Sequence, residues 1–164
     1  MTADLSPPTT PPAPPAPRLT VALTFDHDAF SDSVRRGDPR VKFSHGEFGP
    51  RVGAPRILEL LARHEIATTW FVPGHTLETF PDSTAAIVAG GHEIACHGWY
   101  HEDFTELSTD EQRTNLDRCV AAVEQMTGSR PTGWRAPYWA LGERTLELVE
   151  ATGLHVMTRW LPRS

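Results

Sequence analysis

Two histidines four residues apart, His97 and His101, are the first place to look for chemistry. At that spacing two neutral imidazoles fall on one face of a turn and can share a divalent ion. The pair alone says little, because with 8 His in 164 residues chance supplies roughly 0.4 such pairs. Two further stretches carry matching chemistry. Leu23 to Asp28 places two carboxylates, Asp26 and Asp28, where an apolar run stops. Trp134 to Trp139 places the guanidinium of Arg135 and the rings of Tyr138 and Trp139 where another stops. In a parallel α/β protein the carboxyl ends of the strands share one rim, where ligands bind. Three clusters on one rim make a site.

Two His and one Asp with an open fourth position are the usual ligand set of a hydrolytic zinc site. Asp28, His97 and His101 supply that set. Asp26 is then free to act as a general base on the attacking water, with Arg135 near enough to keep it ionised and oriented. The ion and a backbone N–H near Tyr138 are candidates for stabilising an oxyanion. Glu47 and His45, within Ser44 to Gly49, are candidate substrate contacts and read equally well as solvated loop residues. Plainer accounts exist for each part. Asp26 can be a turn residue, the histidines ordinary polar side chains, Arg135 half of a surface ion pair, and the aromatic residues core. Three unrelated plain accounts must all hold for the site to vanish.

The elements that position these residues are legible in outline. Arg18 to Phe25 is apolar and β-branched, a first strand; if the chain stays extended beyond it, Asp26 and Asp28 point one way and His27 the other. Ala29 to Gly53 reads as a long polar loop. Pro55 opens a helix carrying Ile57, Leu58 and Leu61 on one face. Ala67 to Val72 is a second strand closed by Pro73 and Gly74, followed by a short helix over 83–89 that Gly90 and Gly91 stop. Glu93 to Cys96 is a third strand, which leaves Cys96 packed, an unlikely ligand, and His97 on the rim. Ser108 to Glu111 forms a capping box for a helix that Gly128 ends. Thr132 to Trp134, a helix over 142–152 and a strand over 154–160 complete the pattern. Five strands alternating with four helices imply right-handed crossovers and a parallel sheet. Five are too few to close an eight-stranded barrel, so the expectation is a shortened barrel or a chain lacking its C-terminal part.

Composition sets the boundaries. The chain is long enough for one domain with a proper core, 18–164, preceded by a Pro-rich tail over 1–17 that holds seven of the 15 Pro and little to bury. With 21 acidic against 15 basic residues, and Lys42 as the sole Lys, there is no basic stripe for nucleic acid. Two cysteines, Cys96 and Cys119, are too few for a disulfide framework. They fit a reducing, cytoplasmic location. No apolar run approaches the roughly 20 residues of a membrane span, and no signal peptide is visible. Oligomeric state is not legible.

Thr24-Phe25-Asp26-His27-Asp28, His97-Gly98-Trp99-Tyr100-His101 and Arg135-Ala136-Pro137-Tyr138-Trp139 resemble, in this order, the first three motifs of the polysaccharide deacetylase family (NodB homology, carbohydrate esterase family 4). The resemblance covers about residues 19–160. It implies a distorted (β/α) barrel and metal-dependent hydrolysis of a carbon–nitrogen bond other than a peptide bond. By it Asp26 is the base and Asp28, His97 and His101 hold a divalent metal such as zinc; Tyr138 and Trp139, with Glu47 from the 44–49 stretch, are the candidate contacts to a carbohydrate or other small-molecule substrate. The usual first motif is Thr-Phe-Asp-Asp-Gly, so the ligand falls one residue later here, at Asp28, with His27 in the customary slot. Gly98 and Trp99, with 48–53 and 71–75, are similar to a branch of deacetylase-like proteins, cyclic imidases and allantoinase-like enzymes. The later motifs, including a His that serves as general acid, have no counterpart. Deacetylation of an N-acetylated sugar is therefore the leading expectation. Opening of a cyclic imide or ureide, or a truncated remnant that binds without catalysis, are the alternatives.

Overall fold

The computed structural model describes residues 21–157. The Pro-rich tail and the outer ends of the first and last expected strands lie outside them. Five parallel strands form one sheet in chain order, β1 (Thr24–Asp26), β2 (Thr69–Val72), β3 (Glu93–Cys96), β4 (Gly133–Trp134) and β5 (His155–Val156). Register pairs Asp26 with Phe71, Phe71 with Ala95 and Cys96 with Trp134. Neighbouring strands in sequence are neighbours in space, the progression of a barrel wall, and the sheet stays open.

Alternation sorts the side chains into two layers. Phe25, Trp70, Val72, Ile94, Cys96 and Trp134 face the helices and join the main core with Leu77, Ile87, Leu116, Val123 and Val149. Thr24, Asp26, Phe71, Ala95, Gly133 and Arg135 face the other way. A Cβ on Gly133 would stand 3.3 Å from both the Ala95 Cβ and the Met157 sulfur, and the Arg135 guanidinium lies 3.9 Å from the centre of the Phe71 ring. Both faces of the central strands are thus covered, as parallel strands require.

The helices are α1 (Ser31–Arg35), α2 (Phe43–Phe48), α3 (Ala54–Arg63), α4 (Gly74–Thr79), α5 (Pro81–Ala89), α6 (Thr109–Thr127) and α7 (Thr145–Ala151), with a 3-10 turn at Arg40–Lys42. The stretch expected to be a loop over 29–53 is therefore mostly helical. Gly37 does reverse the chain, at φ +66° after α1, whereas Gly46 and Pro50 sit inside helical runs. A Cβ on Gly46 would sit 2.6 Å from the Ala29 carbonyl oxygen, so glycine here permits close approach. Pro50, which lacks an N–H, falls in a π-helical widening over Gly49–Gly53 that joins α2 to α3 without a break. Pro73 and Gly74 close β2 at Val72 as expected, and they also start α4, a helix the pattern does not foretell, with Pro73 as N-cap. The fourth and fifth strands are short, and α7 begins at Thr145 rather than 142.

The expected capping box is present. The Ser108 N–H donates to Glu111 Oε2 at 2.8 Å, and Gly128 ends the helix with φ +73°. One turn in from that cap, buried Gln112 ties three elements together. Its Nε2 donates to the carbonyls of Phe104 (3.0 Å) and Leu107 (2.9 Å), and its Oε1 accepts from Thr145 Oγ1 at 2.7 Å. Replacing it with Leu strands those partners, each worth about 1–3 kcal/mol when buried and unmet. Urea unfolding of Gln112→Leu is expected to show a loss of about 3 kcal/mol, against about 1 kcal/mol for the exposed cap variant Ser108→Ala. Equal losses would mean that the buried amide is dispensable.

Candidate metal centre

The carboxyl ends of β1, β3 and β4 meet on one rim. The His27 N–H still pairs with the Phe71 carbonyl at 2.8 Å, so the chain stays extended past Asp26 and alternation holds. His27 turns to the helix side, where Nε2 lies 3.1 Å from Ser83 Oγ and the ring meets Trp70 edge-on. Asp28 turns back to the rim. Its carbonyl is fixed by the Thr76 hydroxyl at 2.9 Å. The sequence expectation that Asp28, and not His27, faces the two histidines matches this geometry.

His97 leaves β3 almost wholly buried, and its Nδ1 lies 2.9 Å from the Arg135 carbonyl oxygen. A carbonyl only accepts, so Nδ1 carries the proton and Nε2 offers its lone pair. That Nε2 is 3.5 Å from Asp28 Oδ1, and His101 Nε2 is 3.8 Å from Asp28 Oδ2. The three ligand atoms lie within 4.8 Å of one another. For ligands at about 2.1 Å from a tetrahedral ion the expected separation is about 3.4 Å; the two Asp28–His contacts, at 3.5 and 3.8 Å, are near it, and the set as a whole is wider. Asp28 Oδ1 and His97 Nε2 are also buried with no hydrogen-bond partner among the described residues, and buried polar atoms of this kind are ordinarily met by a partner, water or ion.

Burial is the main force on the charges. It lifts the Asp28 carboxyl to about 7, helped by the charges of Asp26 and Asp32 and opposed by Arg135. It lowers His97 to about 4, with His101 next in effect, and lowers His101 as well. Both imidazoles are therefore neutral at pH 7, the form that binds metal, and their contacts with Asp28 are not charge pairs. A cation and a proton compete for Asp28.

Arg135 anchors Asp26. Its Nη1 donates to Asp26 Oδ1, its Nη2 to Thr24 Oγ1 at 2.7 Å, and the guanidinium packs over Phe71 and 5.1 Å from the Trp139 ring centre. Tyr138 and Trp139, about half exposed, occupy consecutive left-handed positions at φ +55° and +60°. The Tyr138 ring stands edge-on to His101 at 4.5 Å.

Glu47 is paired differently. Its carboxylate accepts from Arg51 Nε at 2.8 Å one helical turn on, and it makes no contact with the Asp28 cluster among the interactions of the described residues. Asp32, by contrast, was not singled out by sequence. It holds Arg35 at 2.9 Å, and its charge acts on Asp28, His101 and Tyr138. Its place four residues after Asp28, at the start of a helix, is the signal that points to it.

Comparison with known proteins places this geometry. A family model described as polysaccharide deacetylase matches residues 13–157. The chain is 42% identical over 142 residues to a peptidoglycan deacetylase-like protein of Gibberella zeae, covering 83% of this chain and 42% of that one. It is 35% identical over 137 residues to a peptidoglycan deacetylase of Helicobacter pylori, covering 82% and 47%. It thus spans less than half the length of these relatives. A crystal structure from Mycobacterium smegmatis, assigned as a polysaccharide deacetylase, superposes with a TM-score of 0.77 at 37% identity, over 88% of this chain and 54% of that one.

The alternation at 26–28 gives a sharp test. Asp28→Asn is expected to weaken Zn²⁺ uptake, measured by chelator competition, by at least about 100-fold, beyond the 10–100-fold typical of losing an outer-shell partner. His27→Asn is expected to leave uptake within about threefold while lowering stability. The reverse pattern would put the ligand at His27.

Proposed function

This chain belongs to the polysaccharide deacetylase family, and from that membership and the site above we propose that it is a divalent-ion-dependent hydrolase that removes acetyl groups from an N-acetylated carbohydrate. The observation that carries this reading is the convergence of Asp28, His97 and His101 on one point, with the Asp26–Arg135 pair beside it on the same rim. Asp28, His97 and His101 would hold the ion, most plausibly zinc given two imidazoles and one carboxylate. Bound there, a divalent ion polarises the amide carbonyl and makes water a better nucleophile.

The described groups supply the base, its anchors and a surface for the sugar, and the proton that Asp26 takes up is the one to be passed to the departing amine nitrogen. Asp26 takes the proton from the attacking water at Oδ2, since Arg135 occupies Oδ1. Arg135 holds that carboxylate against rotation through its second anchor on Thr24 and its contact with Phe71. The half-exposed rings of Tyr138 and Trp139 offer apolar faces to a sugar ring beside His101. Relatives named as peptidoglycan deacetylases make a peptidoglycan-like glycan the first substrate to try. A cytoplasmic location is carried with the proposal, on the footing of two free, buried thiols, Cys96 and Cys119. No helix of the described residues is long and apolar enough to cross a membrane.

The test is acetate release from N-acetylglucosamine oligomers by the zinc-loaded chain, run beside ring opening of cyclic imides. Asp26→Asn is expected to lower kcat by about 10²–10⁴-fold, the usual contribution of a general base, with Zn²⁺ uptake unchanged. Ring opening without acetate release would move the reading to an imidase or ureide hydrolase. Glycan binding without either reaction would make the chain a binding protein.

A further inference from the structure

The two histidines are held by unlike means. His97 is fixed from within the sheet, through the Arg135 carbonyl. His101 Nδ1 is buried and meets no partner beyond its own backbone. The direction of the His101 ring is therefore set by the loop that carries it and by the edge-on rings of His97 and Tyr138, and His101 itself sits at φ +62°, a conformation uncommon outside glycine.

That loop is fastened at Trp99. The Trp99 N–H donates to Glu102 Oε2 at 2.9 Å, its carbonyl accepts from the His75 N–H at 2.9 Å, and the Gly98 carbonyl accepts from the Gly74 N–H at 3.0 Å. The indole packs against Gly74 so closely that any Cβ there would overlap the ring. From α6 the Arg118 guanidinium lies 3.4 Å from the centre of the Trp99 ring. Trp99 is only 4% exposed although Arg118 itself is on the solvent side of its helix. Among the described residues no hydrogen bond or ion pair joins Arg118 to Asp28, His97 or His101.

We propose that Arg118 is a positioning residue for His101: by clamping the Trp99 indole against Gly74 it holds residues 98–101 in the conformation that aims His101 at Asp28 and His97. The inference rests on reading those three residues as metal ligands. A planar guanidinium stacks on an aromatic face and an ammonium does not, which makes Arg and Lys unequal at this position.

Co²⁺ titration of the full chain tests it, with affinity from chelator competition, the visible absorption of the bound ion as a probe of ligand geometry, and the melting temperature of the ion-free protein as the control for folding. Arg118→Met keeps length and apolar cover but removes the charged plane. It is expected to bind Co²⁺ about tenfold more weakly, in line with the loss of an outer-shell support, with an altered absorption band and a melting temperature within a few degrees of wild type. Arg118→Lys is expected to fall between the two. Affinity and spectrum equal to wild type in Arg118→Met, or an affinity loss that only tracks a loss of folded protein, would overturn the role of Arg118. A wild-type chain that takes up no Co²⁺ would instead overturn the ligand reading, and this one with it.

Discussion

One residue joins the two halves of the site. The Arg135 carbonyl holds the His97 imidazole in a single tautomer, while its guanidinium holds Asp26 and Thr24 on the far side of β2. β4 is only two residues long, yet through Arg135 it reaches β3 by its backbone and β1 by its side chain. Arg135 is almost fully buried, and a guanidinium removed from water must have its donors met. The need to satisfy those donors fixes where Asp26 stands relative to His97. The sheet register does the rest, because each strand delivers its last inward residue to the same level.

The local conformations on this rim are costly ones. The non-glycine residues with left-handed backbone among those described are Ala29, Glu65, His101, Tyr138 and Trp139, and all but Glu65 adjoin the site. Such positions cost on the order of 1–3 kcal/mol each and persist only where surrounding structure over-determines them. Here that structure is the helix-side core. Trp70, Trp134, Leu116 and their neighbours are buried to a few per cent or less, and each large apolar side chain so buried contributes about 1.5–3 kcal/mol. The core lies on one face of the sheet and the strain at its edge, which lets the rim hold unpartnered polar atoms and disfavoured turns without loss of the fold.

What was legible in the sequence follows the same division. Strand alternation is a strict rule, so the opposite directions of His27 and Asp28, the packing of Cys96 and the rim position of His97 all follow from position in the chain. The capping box at Ser108 and Glu111 is a local contact between residues three apart, and it too is readable. Glycine as punctuation is readable where it ends an element, as at Gly90 and Gly128. It is not readable where it makes room for a distant residue, as Gly46 does for Ala29 and Gly74 for Trp99. A one-dimensional pattern distinguishes a glycine needed for its backbone freedom from one needed for its missing side chain only when the partner is known. Glu47 illustrates the same limit, since a carboxylate in a polar stretch does not reveal that its partner is Arg51, one turn away on the same helical run.

Asp26 and Asp28 show how two carboxylates two residues apart receive unlike surroundings. Both point to the rim because the strand alternates, so sequence makes them equivalent, and only their surroundings separate them. Asp26 stands at the end of the sheet, in part open to solvent, with one oxygen gripped by Arg135. Asp28 stands beyond the strand, between two neutral imidazoles, with one oxygen buried and unpartnered and its carboxyl held up near 7 by burial. A carboxylate anchored by a guanidinium and still open to water has the features of a proton acceptor. One set between two neutral imidazoles, with an oxygen that meets no hydrogen-bond partner among the described residues, gains most from a positive charge at the point where all three converge. The two side chains are about equally open to solvent, so what separates them is their company, a guanidinium on Asp26 and two imidazoles on Asp28.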